Sequence, residues 1–326
     1  MESAVKCNIK ILPTTERKGR EQTTQQLRQV HRSESLSRLG MTACGMGAAL
    51  LPFLMAAFLF WKGSSTFWAF GHSLQEFLFS ATWAPYDGLT GGGNVGAAMF
   101  ISGSLVTCFL ALLFALPLSL ATAIYLAEMA SPTVRHVLRP VVELFTGIPS
   151  VIYGWVGVTV LVPLLQQLFP IPYGFSVLAA AIVLAVMIFP VITTMTADAM
   201  LAVPQSWRDA SYGLGATRWE TICHVILPSA RRGILTGVIL GLARALGEAM
   251  AVAMVIGQMK RFPSSLFLPA STMTTVLAND MGGAMEGGEY SAALWTLALL
   301  LFGISFALIF TIHHFGRDPM QVEAEG

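Results

Sequence analysis

The fold is decided by residues Gly233–Met259, GILTGVILGLARALGEAMAVAMVIGQM, in which Arg244 and Glu248 are the only charged side chains. About 20 apolar residues suffice to carry a helix across a bilayer. A charge at the centre of such a helix costs at least about 2.5–3.5 kcal/mol, so it is paired or lines a polar path. Four residues apart on a helix, Arg244 and Glu248 share one face, a turn from each other. This spacing predicts one of two things: an ion pair that locks the helix, or a polar contact with something that crosses the membrane.

The rest of the chain repeats this character. Hydrophobic residues make up 55%, charged residues 11%, and mean hydropathy is +0.67, against about 25% charged in soluble domains. This is the composition of an all-α polytopic membrane protein. A net charge of +1 implies no polyanionic partner, and no nucleic acid is expected.

Six transmembrane helices are read between charged residues. The first lies within Leu39–Trp61 and the second within Gly96–Ala127. The uncharged region 144–197 is too long for one crossing, and Gln166, Gln167, Pro170, Pro172 and Gly174 divide it into a third and a fourth. The fifth is Gly233–Met259 and the sixth lies within Tyr290–Phe315. Residues 1–38, rich in Gln, Arg, Thr and Ser, read as a basic tail without a fold. The membrane domain is 39–316, and 317–326 is a short C-terminal tail.

Lys and Arg then orient the chain. Fifteen fall in one alternating set: the N-terminal tail, the 127–143 loop (Arg135, Arg139), the 197–232 loop (Arg208, Arg218, Arg231, Arg232) and Arg317. Only Lys62, Lys260 and Arg261 fall in the other. Both termini are therefore expected in the cytoplasm, with 64–95 and 264–289 outside. The outer loops carry glycine clusters (Gly91, Gly92, Gly93; Gly282, Gly283, Gly287, Gly288) that read as flexible turns or as places a docking protein touches.

The most patterned polar segment is Val203–Pro228, VPQSWRDASYGLGATRWETICHVILP. Pro204, Ser206 and Asp209 begin a helix, and Gly213 and Gly215 break it. Thr217-x-x-Glu220 is a capping box that begins a second helix, and Pro228 is expected to end that helix before the fifth span. Twenty-six residues with two helix starts hold more structure than a connection needs.

Here the chain resembles a family. Asp209-Ala210-Ser211, Gly215 four residues on, and Val225-Ile226-Leu227-Pro228 are similar to the Glu-Ala-Ala…Gly…Ile-x-Leu-Pro loop of ABC importer permeases. Asp209, Ser211 and Val225 are mild departures from it. Ser131–Trp155 and Gly241–Gly257 resemble the phosphate-specific branch, closer to the PstC-type than to the PstA-type subunit, with Ala249 where Thr is usual. The resemblance spans about residues 40–315. It implies a type I ABC importer permease of the inner membrane that carries inorganic phosphate. Its partners would be a PstA-type sister permease, a PstB-type ATPase dimer and an extracytoplasmic phosphate-binding protein. It also implies that Asp209, Ala210, Ser211, Gly215, Leu227 and Pro228 form the contact with the ATPase.

No Gly-x4-Gly-Lys-Ser/Thr phosphate loop, His-Glu-x-x-His or Gly-x-Ser-x-Gly run occurs in the chain, so neither ATP binding nor enzyme chemistry is expected of it, and no cofactor or metal. Cys7, Cys44, Cys108 and Cys223 lack disulfide or metal-ligand spacing, and His313 and His314 read as an interfacial pair. A permease for sulfate, molybdate or another oxyanion fits the loop equally well. A membrane enzyme acting on lipids would need acids clustered at one face, whereas Glu128, Glu143 and Asp198 stand at three different span ends. Arg244 and Glu248 are the candidate substrate-path residues. The glycines at 233, 237 and 241 read as close helix packing before a gate hinge.

Overall fold

The computed structural model describes residues 14–316 except Asp87, Thr90, Pro170 and Pro172, with side chains described over 38–311. The expectations for residues 1–13 and 317–326, and those for His313 and His314 side chains, lie outside this description. Among the described residues six stretches are long and apolar enough to cross a membrane: Arg38–Trp68, Ala98–Met129, Ser150–Leu168, Val177–Leu201, Arg218–Gly247 and Glu289–Thr311.

Helix α1, Thr14–Trp68, carries helical backbone through 14–38, where the sequence predicted no fold. Glu, Gln, Arg and Leu are good helix formers, and no proline interrupts them there. The chain divides within α1 into two units, Met1–Phe58 and Leu59–Gly326. All that follows concerns the second.

A short helix α2 (Leu74–Phe79) and a two-stranded ribbon, β1 (Trp83–Ala84) with β2 (Asn94–Val95), lead into α3 (Ala98–Ile124), which continues as a π-helical turn over Tyr125–Met129. Helix α4 (Pro132–Gly147) is separate from the third span, which the sequence placed from Leu144 onward. Ile148 and Pro149 are extended, since a residue before proline is pushed out of the helical region. The crossing begins only at Ser150, as α5 (Ser150–Val156), a π-helical turn and α6 (Val162–Leu168). Helix α7 (Val177–Leu201) is the fourth span. Two short helices, α8 (Gln205–Gly213) and α9 (Arg218–Thr221), precede α10 (Leu227–Gly247). Helices α11 (Met250–Val255), α12 (Met273–Asp280) and α13 (Glu289–Gly316) complete the chain.

Helix α7 is the best buried span, with Leu184, Met187, Ile188 and Ile192 packed among Cys108, Ala111 and Ala115 of α3 and Ala245 and Leu246 of α10. Small residues make this possible. A Cβ on Gly233 would stand 2.4 Å from the Ala199 Cβ, one on Gly237 2.9 Å from the Met195 Cβ, and one on Gly241 2.7 Å from Ile192 Cγ1. The glycine face of α10 is thus a packing surface, the reading favoured from the sequence.

At the end of the bundle away from α8 and α9, Glu289 is fully buried. It accepts hydrogen bonds from the N–H groups of Tyr86 (2.7 Å), Gly92 (3.1 Å) and Gly93 (3.0 Å), and pairs with His72 Nε2 at 2.6 Å. The Gly91–Gly93 turn is therefore pinned to the start of α13.

Candidate coupling elbow and substrate path

Residues 203–228 fold as the pattern predicts, with one exception. Helix α8 begins after Pro204 and ends at Gly213. Gly215 then takes φ +89°, a left-handed conformation open to glycine at little cost. Thr217 accepts from the Glu220 N–H while the Glu220 carboxylate accepts from the Thr217 N–H at 2.7 Å, so the capping box is complete. The exception is Pro228, which does not end the helix. A π-helical turn over Ile222–Ile226 carries α9 straight into α10, with Pro228 in its first turn. Proline has no N–H to donate and crowds the carbonyl four residues back. The wider turn, in which the Leu227 N–H reaches the Ile222 carbonyl, accommodates it.

The elbow is fastened by residues whose role the sequence did not show. Arg208, 8% exposed, pairs with Glu128 at 2.8 Å and donates to the Met200 and Val203 carbonyls. Arg218 donates to the Glu128 carbonyl. Ser211, the departure from Ala in the family pattern, hydrogen-bonds the Thr221 hydroxyl at 2.9 Å and ties α8 to α9. Asp209 and Ala210 are exposed, with Asp209 accepting from Gln205 at 3.1 Å, and Leu227 is half-buried. The tip presents Leu214 at 91% exposure, flanked by the exposed rings of Trp207, Tyr212 and Trp219. An apolar knob on a braced elbow is a shape suited to seating in a groove of another protein.

The acids that the sequence placed at three separate span ends do not stay separate. Arg139 joins two of them, pairing with Glu143 at 2.9 Å and Asp198 at 2.8 Å. The third, Glu128, is taken by Arg208. Each is thus paired with an arginine, and no cluster of three His, Cys, Asp or Glu occurs among the described residues.

The Arg244–Glu248 expectation needs correction. Helix α10 stops at Gly247, Glu248 is extended at ψ 120°, and no ion pair joins Arg244 to Glu248 among the described residues. The fifth crossing is Arg218–Gly247 rather than Gly233–Met259. Gly247 weakens the helix locally, and Glu248 serves the break. Its carboxylate accepts from the Ala251 N–H at 3.1 Å as α11 begins, and its carbonyl accepts from Thr274 at 2.9 Å. Arg244, half-buried, forms no hydrogen bond or ion pair with the described residues and lies within electrostatic reach of the Tyr153 hydroxyl, which donates to the Phe145 carbonyl at 2.7 Å. Among the described residues the half-buried Arg244 guanidinium is thus left without a hydrogen-bond or ion-pair partner.

Comparison with known proteins agrees with this architecture. Residues 115–317 match the family model described as the binding-protein-dependent transport system inner membrane component. A Bacillus subtilis protein named as a probable ABC transporter permease, YqgH, is 43% identical over 281 residues, covering 86% of this chain and 90% of the relative. The Mesorhizobium japonicum phosphate transport system permease PstC is 39% identical over 268 residues, covering 76% and 78%. Among solved structures, a bacterial alginate ABC transporter superposes with a TM-score of 0.60 at 16% identity, covering 86% of this chain and 93% of that one. It has the same fold, that of a type I ABC importer permease.

Proposed function

Because the chain belongs to the family of binding-protein-dependent transport system inner membrane components, a multi-pass inner-membrane family, we propose that it is the permease subunit of an ATP-driven importer of inorganic phosphate. The observation that carries this reading is the braced elbow at 203–228, on a chain whose relatives include named phosphate permeases. ATP is hydrolysed elsewhere, in a PstB-type dimer that receives the Leu214 knob and the Asp209–Ser211 face. A PstA-type sister permease completes the path, and a binding protein delivers phosphate to the opposite side. Both termini and the elbow face the cytoplasm.

Coupling then follows from rigidity. Movement of the ATPase against α8 is passed through Arg208 to the end of α3, and through the unbroken α9–α10 helix to Arg244. A guanidinium without a protein partner offers a crossing phosphate charge-assisted hydrogen bonds. The test is purification in mild detergent followed by reconstitution. An ATPase and a sister permease should accompany the chain, and ATP should drive uptake of labelled phosphate when binding protein is present. Uptake of sulfate or molybdate in preference to phosphate would reassign the substrate.

A further inference from the structure

A cavity of about 390 Å³ opens where α1 ends and α13 begins, lined by Trp61, Lys62, Ser65, Phe70, Ser291 and Trp295 among others. Beside it the two helices cross tightly. The Thr66 and Thr296 hydroxyls meet at 2.7 Å, Thr296 donates to the Gly63 carbonyl at 2.7 Å, and a Cβ on Gly63 would stand 3.1 Å from the Trp295 carbonyl oxygen. The cavity therefore belongs to a rigid part of the fold.

Its polar groups are underused. The Ser291 hydroxyl, on a residue only 6% exposed, makes no hydrogen bond with the described residues. Among the described residues Lys62 has only a 3.8 Å pairing with Glu286, whose side chain is 93% exposed; an exposed pair of this kind holds a lysine weakly. Around these groups the surface is aromatic. Trp61, Trp68 and Phe60 are 74%, 89% and 66% exposed at the end of the first span, the arrangement that marks a membrane–water boundary.

We propose that this cavity binds the headgroup of an anionic phospholipid. The Lys62 ammonium and the Ser291 hydroxyl take the phosphodiester oxygens, and the rings of Trp61 and Phe70 cover the glycerol and the upper acyl chain. One cation among mostly apolar walls suits a singly charged phosphodiester with an apolar tail better than a free phosphate dianion, which needs several donors at once. The inference is independent of the transported substrate.

The experiment uses the full chain, with whatever subunits accompany it, in nanodiscs of phosphatidylcholine containing a minor share of phosphatidylglycerol. Retained phosphatidylglycerol is counted by native mass spectrometry. Wild type and Lys62→Arg should retain it, while Lys62→Gln should lower retention about fivefold, the effect of one basic contact at a membrane surface, and Ser291→Ala should lower it by less. Quenching of Trp61 and Trp295 fluorescence by brominated phosphatidylglycerol should fall in step. Undiminished retention and quenching in Lys62→Gln would overturn the proposal. Displacement of the lipid by millimolar inorganic phosphate would also overturn it, and would assign the cavity to the free anion.

Discussion

Arg208 and Glu128 are 80 residues apart in the chain and meet at 2.8 Å, both side chains less than a tenth exposed. The pair joins the helix that faces outward at the elbow to the end of the second span. Removing one partner of a buried pair strands the other charge, at a cost of about 3–5 kcal/mol. Arg208→Gln and Glu128→Gln are each expected to lower the thermal midpoint and abolish ATP-driven phosphate uptake. A midpoint within a degree or two of wild type would show that the pair bears no strain.

Gly215 makes a separable prediction. A Cβ there would meet nothing within 4 Å, so a substitution acts through φ +89° alone. Gly215→Leu should cost about 1–2 kcal/mol locally and uncouple ATP hydrolysis from transport in an assembled complex. Gly215→Asn, which tolerates left-handed backbone, should lose less. Equal coupling in the leucine variant and wild type would remove Gly215 from the elbow's function.

Arg244, without a hydrogen-bond or ion-pair partner among the described residues, predicts asymmetric behaviour with Glu248. Arg244→Lys keeps the charge and loses the planar fork, and uptake should fall at least about tenfold with assembly intact, the effect of one charge-assisted hydrogen bond. Glu248→Gln preserves an acceptor for the Ala251 N–H and should be milder than Glu248→Ala. The doubly swapped Arg244→Glu, Glu248→Arg chain should be inactive. Robust phosphate uptake by that variant would restore the ion-pair reading.

Orientation is tested by thiol labelling in a background without native cysteine. Ser264→Cys, in an exposed loop at the end away from the elbow, should react with an impermeant reagent added to intact cells, and Ser206→Cys should react only after lysis. The reverse pattern would invert the topology.

His72 introduces a pH dependence. Burial lowers its pKa, but hydrogen bonds to Glu289 and Glu76 outweigh this and hold it above the ordinary 6.5. A raised folded pKa means that the stabilisation is fully present below about pH 6.5, the unfolded value, and is lost as pH rises through the folded value. Thermal midpoints of the purified complex should therefore decline as pH rises above neutrality, and His72→Gln should flatten the profile. A profile unchanged by the substitution would place the pH dependence elsewhere.

What could be read from the residues was local. Hydropathy marks each span because the bilayer sets its length, and the Thr217–Glu220 box and Gly215 mark the elbow because caps and left-handed turns are settled by residues three or four apart. The same locality explains the errors. Arg244 and Glu248 have helical spacing, yet the backbone leaves the helix at Glu248, where the Ala251 N–H and Thr274 hydroxyl use its oxygens. Pro228 signals a helix end, yet a π-helical turn absorbs it. Glu128, Glu143 and Asp198 sit at different span ends and acquire arginine partners only when those ends converge. Sequence alone determined a six-span permease with a capped loop between its fourth and fifth spans, because those features depend on near neighbours. Tertiary structure alone decided which charges are paired, and that among the described residues Arg244 is not, because a buried charge takes its partner from whatever packing brings within hydrogen-bonding distance.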